Sequence, residues 1–194
     1  MKIRDIVKKY VSEDRQHRIV EMLDHVLSDG KMRADLPEEC FLDLAPCSTK
    51  YHGCNKGGLM QHSLRVTKNM LVLRKAMKST ITEESCVIVG LFHGLGKTGD
   101  SLKPYYIPQE DDWRRKKLGE QYCNNKAVTM PHHFLSLFIL QEFGVKLSPE
   151  EHKAILCHNG LYTPAGQEVL HNEGELMMIA HFSDAWDAFI ESKK

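Results

Sequence analysis

Apolar positions recur along most of this chain at helical spacing. Val20, Leu23 and Leu27 share one face of a segment that Asp14 can cap and Gly30 can stop, which predicts a helix from about 14 to 29. From Leu59 to about Met77, the residues His62, Val66, Met70, Leu73 and Met77 form one stripe at steps of three and four. Thr82 followed by Glu83 and Glu84 marks another helix start, and the run from Cys86 to Phe92 is too apolar to face water. Met130 to Phe143 keeps the helical period and ends at Gly144. Ser148 to Glu151 is the clearest start: a serine cap, Pro149 in the first turn and Glu151 closing a capping box. That helix is expected to run to about His158 and stop near Gly160. A last helix over about 175 to 191 places His181, Asp184 and Ala188 on neighbouring turns.

Two stretches lack this period. Residues 31 to 58, with Pro37, Pro46, Gly53, Gly57 and Gly58, predict a short helix and a long ordered loop. Residues 99 to 129 carry Tyr105, Tyr106, Pro108, Trp113 and Tyr122, and suggest an aromatic excursion of hairpin type lying over a site. The expected architecture is an all-α bundle with that one excursion. It is read as a single domain over 1–194, in which the first 45 or so residues pack as helix against a motif-bearing core from 46 onward.

Composition removes several function classes. Lys+Arg and Asp+Glu are both 26, so no overall charge favours duplex nucleic acid or an acidic membrane. The basic stretch Arg114 to Lys117 is read as a solvated face. The first residues lack the apolar stretch of a signal peptide, and no window approaches the roughly 18 apolar residues of a membrane span. Six cysteines without a CxxC pair are expected to be reduced thiols of a cytoplasmic protein. Cys54 and Cys157, close in sequence to histidines, are read as buried bystanders.

Five of the 11 histidines (62, 93, 132, 133 and 158) fall at helix positions that can converge. His62 lies on an apolar stripe, where a polar ring must find a partner. That partner alone makes it a hydrogen-bonded core histidine, and only the set suggests more. His93 ends the most apolar helix, between glycines, with Lys97 one turn later. His158 ends another helix. Asp184 sits inside an apolar helix, where an unpaired carboxylate is costly. Together they bring imidazoles and a carboxylate from four helices, the way a bundle builds a metal site in its core. The nitrogen and oxygen set suits manganese, iron, cobalt, nickel or zinc better than calcium. The spacing matches neither a zinc finger nor a His-Glu-x-x-His protease.

The run from Val87 to Lys97 resembles the His-Asp-x-Gly-Lys signature of the HD-domain metal-dependent phosphohydrolases, with Gly94 in place of the aspartate. Ala45 to Gly53, followed by Gly57 to Leu64, resembles that family's first-histidine region, with His62 as the ligand. Met130 to His133 and Cys157 to Gly160 are similar to the two extra histidine positions of dinuclear members, and His132 is favoured over His133 by its place after the proline. Ala180 to Asp184 resembles the helix that returns the final aspartate. The resemblance covers about residues 46 to 188.

It implies a phosphohydrolase acting on a nucleotide phosphomonoester or phosphodiester through a metal-bound hydroxide, with one or two divalent ions on His62, His93, His132, His158 and Asp184. Lys97 would steady the phosphate, its alternative reading being a solvated surface lysine. His52 would bind substrate or donate a proton. Ser48, Thr49 and Tyr51 either take part or brace that loop. Tyr105 and Tyr106 would stack on a base or simply pack. In dinuclear members the missing aspartate bridges the ions, so Gly94 leaves Asp184 as the only anionic ligand of the set. Gly94 therefore marks an engineered knockout, a natural pseudoenzyme, or a site in which a water or nearby group replaces the lost ligand. Two further readings are a non-catalytic nucleotide-binding or regulatory module and, from a minority of the superfamily, a di-iron oxygenase.

Overall fold

The computed structural model describes residues 2–28, 36–100 and 102–193. Helices α1 (Ile3–Tyr10) and α2 (Glu13–Val26) form an N-terminal pair. After a single 3-10 turn at Glu38–Cys40 and an ordered loop come α3 (Gly58–Ala76) and α4 (Glu83–Phe92). A 3-10 turn at Leu95–Thr98 leads into the excursion, where β1 (Tyr106–Pro108) pairs antiparallel with β2 (Tyr122–Asn124), Ile107 opposite Cys123. Between the strands lies α5 (Asp112–Lys117), none of whose residues is buried, so Arg114 to Lys117 do form a solvated face. Helices α6 (His132–Glu142), α7 (Pro149–Leu156), α8 (Pro164–Glu168) and α9 (Glu175–Phe189) complete the chain. The fold is mainly helical, as the apolar period predicts. Among the described residues no helix is long and apolar enough to cross a membrane.

Helix α4 is the axis of the core, packed by α1, α3, α7 and α9. Every residue from Cys86 to Phe92 is buried. At roughly 1.5–3 kcal/mol for each fully buried large apolar side chain, this helix alone supplies a large share of the driving force. Its seam with α3 is unusually close. A Cβ on Gly90 would lie 2.7 Å from Thr67 Cα and 2.6 Å from Thr67 Oγ1, so only glycine lets the two backbones approach this far. That approach brings the start of α3 and the end of α4 together.

Several boundaries differ from those the pattern predicts. Ser12 rather than Asp14 is the cap residue of α2, and Asp14 lies in the first turn. The helix ends at Val26, three residues early, because the loop beyond captures it. Leu42 N–H donates to the Val26 carbonyl (2.8 Å), Ser28 N–H donates to Asp43 Oδ1 (2.8 Å), and Leu27 turns into the core. The expected stop at Gly30 lies outside the described residues. Met77 leaves the stripe on α3: it is 61 % exposed, beyond the reach of any packing helix. Helix α7 ends at Leu156, and α9 at Phe189, followed by a 3-10 turn at Glu191–Lys193.

The capping box at Ser148 and Glu151 forms as predicted, and Glu151 does more than cap. Its buried carboxylate accepts from Ser148 N–H (2.8 Å), Ser85 Oγ (2.7 Å) and Arg15 Nη1 (2.8 Å), tying α7 to α4 and α2. Glu151→Ala is expected to cost about 2–3 kcal/mol, since it strands Arg15 and two helix-start donors. Urea denaturation checks this. A loss below about 1 kcal/mol would mean that Glu84, which also pairs with Arg15 (2.8 Å), carries the contact alone.

Candidate metal centre

The predicted ligands converge where α3, α4, α6, α7 and α9 meet. Gly57, at φ +78°, turns the chain into α3 and sets His62 in its second turn. His93 caps the C-terminus of α4, His132 opens α6, His158 follows α7, and Asp184 lies mid-way along α9. Their rings make a continuous row. Centroids are 5.1 Å apart for His62–His93, 4.8 Å for His93–His158 and 5.3 Å for His158–His132.

Hydrogen bonds orient the ring nitrogens. His93 Nδ1 meets the Gly90 carbonyl at 3.0 Å, and His158 Nδ1 meets that of Ile155 at 2.7 Å. A carbonyl only accepts, so each Nδ1 carries the proton and each Nε2 presents a lone pair. His62 Nδ1 donates to Asp187 Oδ2 at 2.6 Å, and Arg65 pairs with the same carboxylate through Nε and Nη2. A carboxylate held behind a histidine in this way is the usual support of a metal ligand.

His62 Nε2, His93 Nε2 and Asp184 Oδ1 lie 3.1, 3.0 and 3.8 Å from one another. Donors about 2.1 Å from an ion at tetrahedral to octahedral angles lie about 3.0 to 3.4 Å apart. The two distances from His62 fall in that range, and the longer His93–Asp184 distance would close by a small turn of the carboxylate around a transition ion. His132 Nε2 faces His158 Nε2 at 3.3 Å, a second pair of donors further along the row.

Electrostatics separate His62 from the rest. Burial works against its imidazolium, but the Cys47 thiolate, Asp184 and Asp187 outweigh it and raise His62 to about 9. Burial holds His93 and His132 well below the usual histidine range and brings His158 down to about 4. The ion-free centre thus has one imidazolium beside neutral rings. A ligating Nε2 must lose its proton, so ion binding at pH 7 to 8 is expected to release about one proton. Apparent affinity should rise with pH and level off above about 9, where His62 is already neutral. Calorimetry in two buffers of different ionisation enthalpy measures this, and zero protons released would remove His62 from the ligand set.

The other predicted site residues fall around this row. Lys97 is buried, which excludes the surface-lysine reading, and its Nζ lies 3.5 Å from Cys47 Sγ. His52 is half-buried with Nε2 3.4 Å from the same sulfur. Ser48 braces the loop: its hydroxyl donates to the His52 carbonyl (2.6 Å) and accepts from Tyr51 and His52 N–H. Tyr51 itself is 74 % exposed. Tyr105 stands edge-on to His132 at 5.9 Å, and Tyr106 is buried beside it. His133 packs on Phe134 and touches the row only at its end, edge-on to His132 at 5.4 Å. Cys157 donates to the Ala165 carbonyl, as expected of a bystander, and all six cysteines are free.

Three residues of the centre escape the sequence pattern: Asp187, Arg65 and Cys47. Burial works against the Cys47 thiolate, yet Lys97, His62 and His52 draw it down to about 6. Gly94 has φ −95° and ψ 3°, open to any residue. A Cβ there would meet only the Leu59 Cδ1 methyl at 3.1 Å and Lys97 Cδ at 3.9 Å within 4 Å. No family model, curated protein or solved structure matches the chain.

Proposed function

We propose that this chain is a metal-dependent phosphohydrolase of the HD type, built on an HD-like helical bundle and acting on a nucleotide phosphomonoester or phosphodiester. The observation that carries this reading is the triad of His62, His93 and Asp184, whose donor atoms lie within 4.8 Å of one another, with His62 Nε2 at ligand separation from both partners. His132 and His158 add two more nitrogens for a second ion. The unpaired thiols suit a reducing cytoplasm.

A divalent ion in the triad would supply a Lewis acid for a phosphoryl oxygen and lower the pKa of a bound water. The protein's own groups supply the rest. Asp187 and Arg65 hold the His62 ring, so its Nε2 does not rotate away. Lys97 neutralises the phosphate as a point charge, after leaving Cys47 on its flexible stem. His52, half-buried at the edge, carries a proton between substrate and solvent. Tyr105, next to His132, flanks the leaving group.

The test is phosphate release across a nucleotide panel with manganese, cobalt, nickel or iron, beside manganese binding by His62→Ala and Asp184→Ala. Each variant should lose about tenfold or more in ion affinity. Full ion occupancy in both would end the assignment. Gly94 favours a second reading, a nucleotide-binding module on the same scaffold, because the set holds a single carboxylate for two dications. Tight nucleotide binding with no turnover in any metal, by the chain or by Gly94→Asp, would establish that reading instead.

A further inference from the structure

We propose that Cys47, His52 and His62 form a thiolate-containing site for zinc or another thiophilic divalent ion. In it the sulfur is the anionic ligand. One ligand atom from each residue lies within 4.8 Å of the others. An ion at about 2.3 Å from sulfur and about 2.05 Å from nitrogen, with tetrahedral angles, places these donors about 3.6 Å apart. Cys47 Sγ and His52 Nε2 are 3.4 Å apart.

The loop is built to hold that pair. Cys47 N–H donates to the Gly53 carbonyl (2.8 Å), closing a turn with His52 inside it. Ser48 pins the His52 backbone through both its carbonyl and its N–H. Gly53 sits at φ +54°, and a Cβ there would come within 2.9 Å of Cys47 Cβ, so the turn closes tightly onto the cysteine. On the other side, Asp187 engages His62 Nδ1 and leaves Nε2 as its ligating atom. Three protein donors leave a fourth position open, which is the pattern of a reactive rather than a purely structural ion.

This site shares His62 with the proposed phosphohydrolase centre and otherwise does not rest on it. One imidazole nitrogen binds one ion, so the two triads compete for His62. Softness decides the outcome: zinc, cobalt or cadmium goes to the sulfur side, and manganese to the Asp184 side. The Lys97 ammonium, 3.5 Å from the sulfur, is the rival cation, and its four-carbon stem lets it withdraw.

Cobalt(II) titration of the reduced full-length chain tests the inference. Wild type, Asp184→Asn and Cys157→Ser should show a near-ultraviolet sulfur-to-cobalt charge-transfer band. Cys47→Ser should lose that band and keep the visible absorption of histidine-bound cobalt. Visible absorption without the near-ultraviolet band in wild type would overturn the thiolate site and leave the phosphohydrolase centre standing. Absence of any cobalt absorption would remove both. A band that persists in a folded Cys47→Ser protein would also overturn the inference. Should Cys47→Ser not fold, X-ray absorption of the zinc-loaded wild type decides. One sulfur scatterer at about 2.3 Å supports the site, and a shell of nitrogen and oxygen alone overturns it.

Discussion

Gly94→Asp is expected to raise phosphohydrolase turnover by on the order of a hundredfold, because an added anionic ligand would hold a second ion, and an ion is worth several kcal/mol at a developing phosphoryl charge. The backbone at this position accepts the change. Its φ of −95° suits any residue, and the nearest atom to a new Cβ is the end of the flexible Leu59 side chain. The carboxylate would stand beside Asp184 as a second anionic donor to the ions. Ion affinity should rise with turnover, and phosphate release with manganese or cobalt measures the gain against wild type. Equal turnover in the two proteins would show that position 94 does not face the reacting ions.

Asp187→Ala is expected to destabilise the ion-free protein by about 3–5 kcal/mol, the usual cost of removing one partner from a buried charge pair. The Asp187 side chain is fully buried and balances both His62 and Arg65. His62 would then face its own imidazolium charge inside the core, supported only by Asp184 and Cys47. Asp187→Asn keeps an acceptor for His62 Nδ1–H while removing the charge, and should cost less. Ion affinity should also fall by about 10–100-fold, because the ring loses its orientation. Urea denaturation and ion titration report the two effects separately. Loss of stability with unchanged ion affinity would make Asp187 a structural counter-charge and no more.

The helices were legible in the sequence because their signals are local. Ser148, Pro149 and Glu151 start α7 from four neighbouring residues, and the apolar run into His93 declares its own burial. What was not legible depends on contacts across the chain. Helix α2 stops early because Leu42 and Asp43, which lie about 16 residues on, take its end. The sequence shows that His62 needs a partner, but that partner is Asp187, 125 residues away. Asp187 gives no sign of its role beside Asp184, since two acidic residues three apart on one helix are commonplace. Cys47 sits in an aperiodic loop, where only the fold reveals that Lys97 and His52 point at its sulfur. The five predicted ligands were easier, because each stands where an apolar helix begins, ends or would otherwise bury a charge.

The seam between α3 and α4 has a bearing on how variants of this protein would be interpreted. Gly90 has no side chain and meets a ligand only through the carbonyl that accepts from His93 Nδ1, yet the missing methyl sets how near His62 and His93 stand. An alanine there would push the two helices apart and part the imidazoles. In a screen scored on activity, position 90 would then rank with the ligands themselves. Intolerance to change at this centre therefore reports distance between helices as well as chemistry, and a map of sensitive positions would overstate the number of reactive groups.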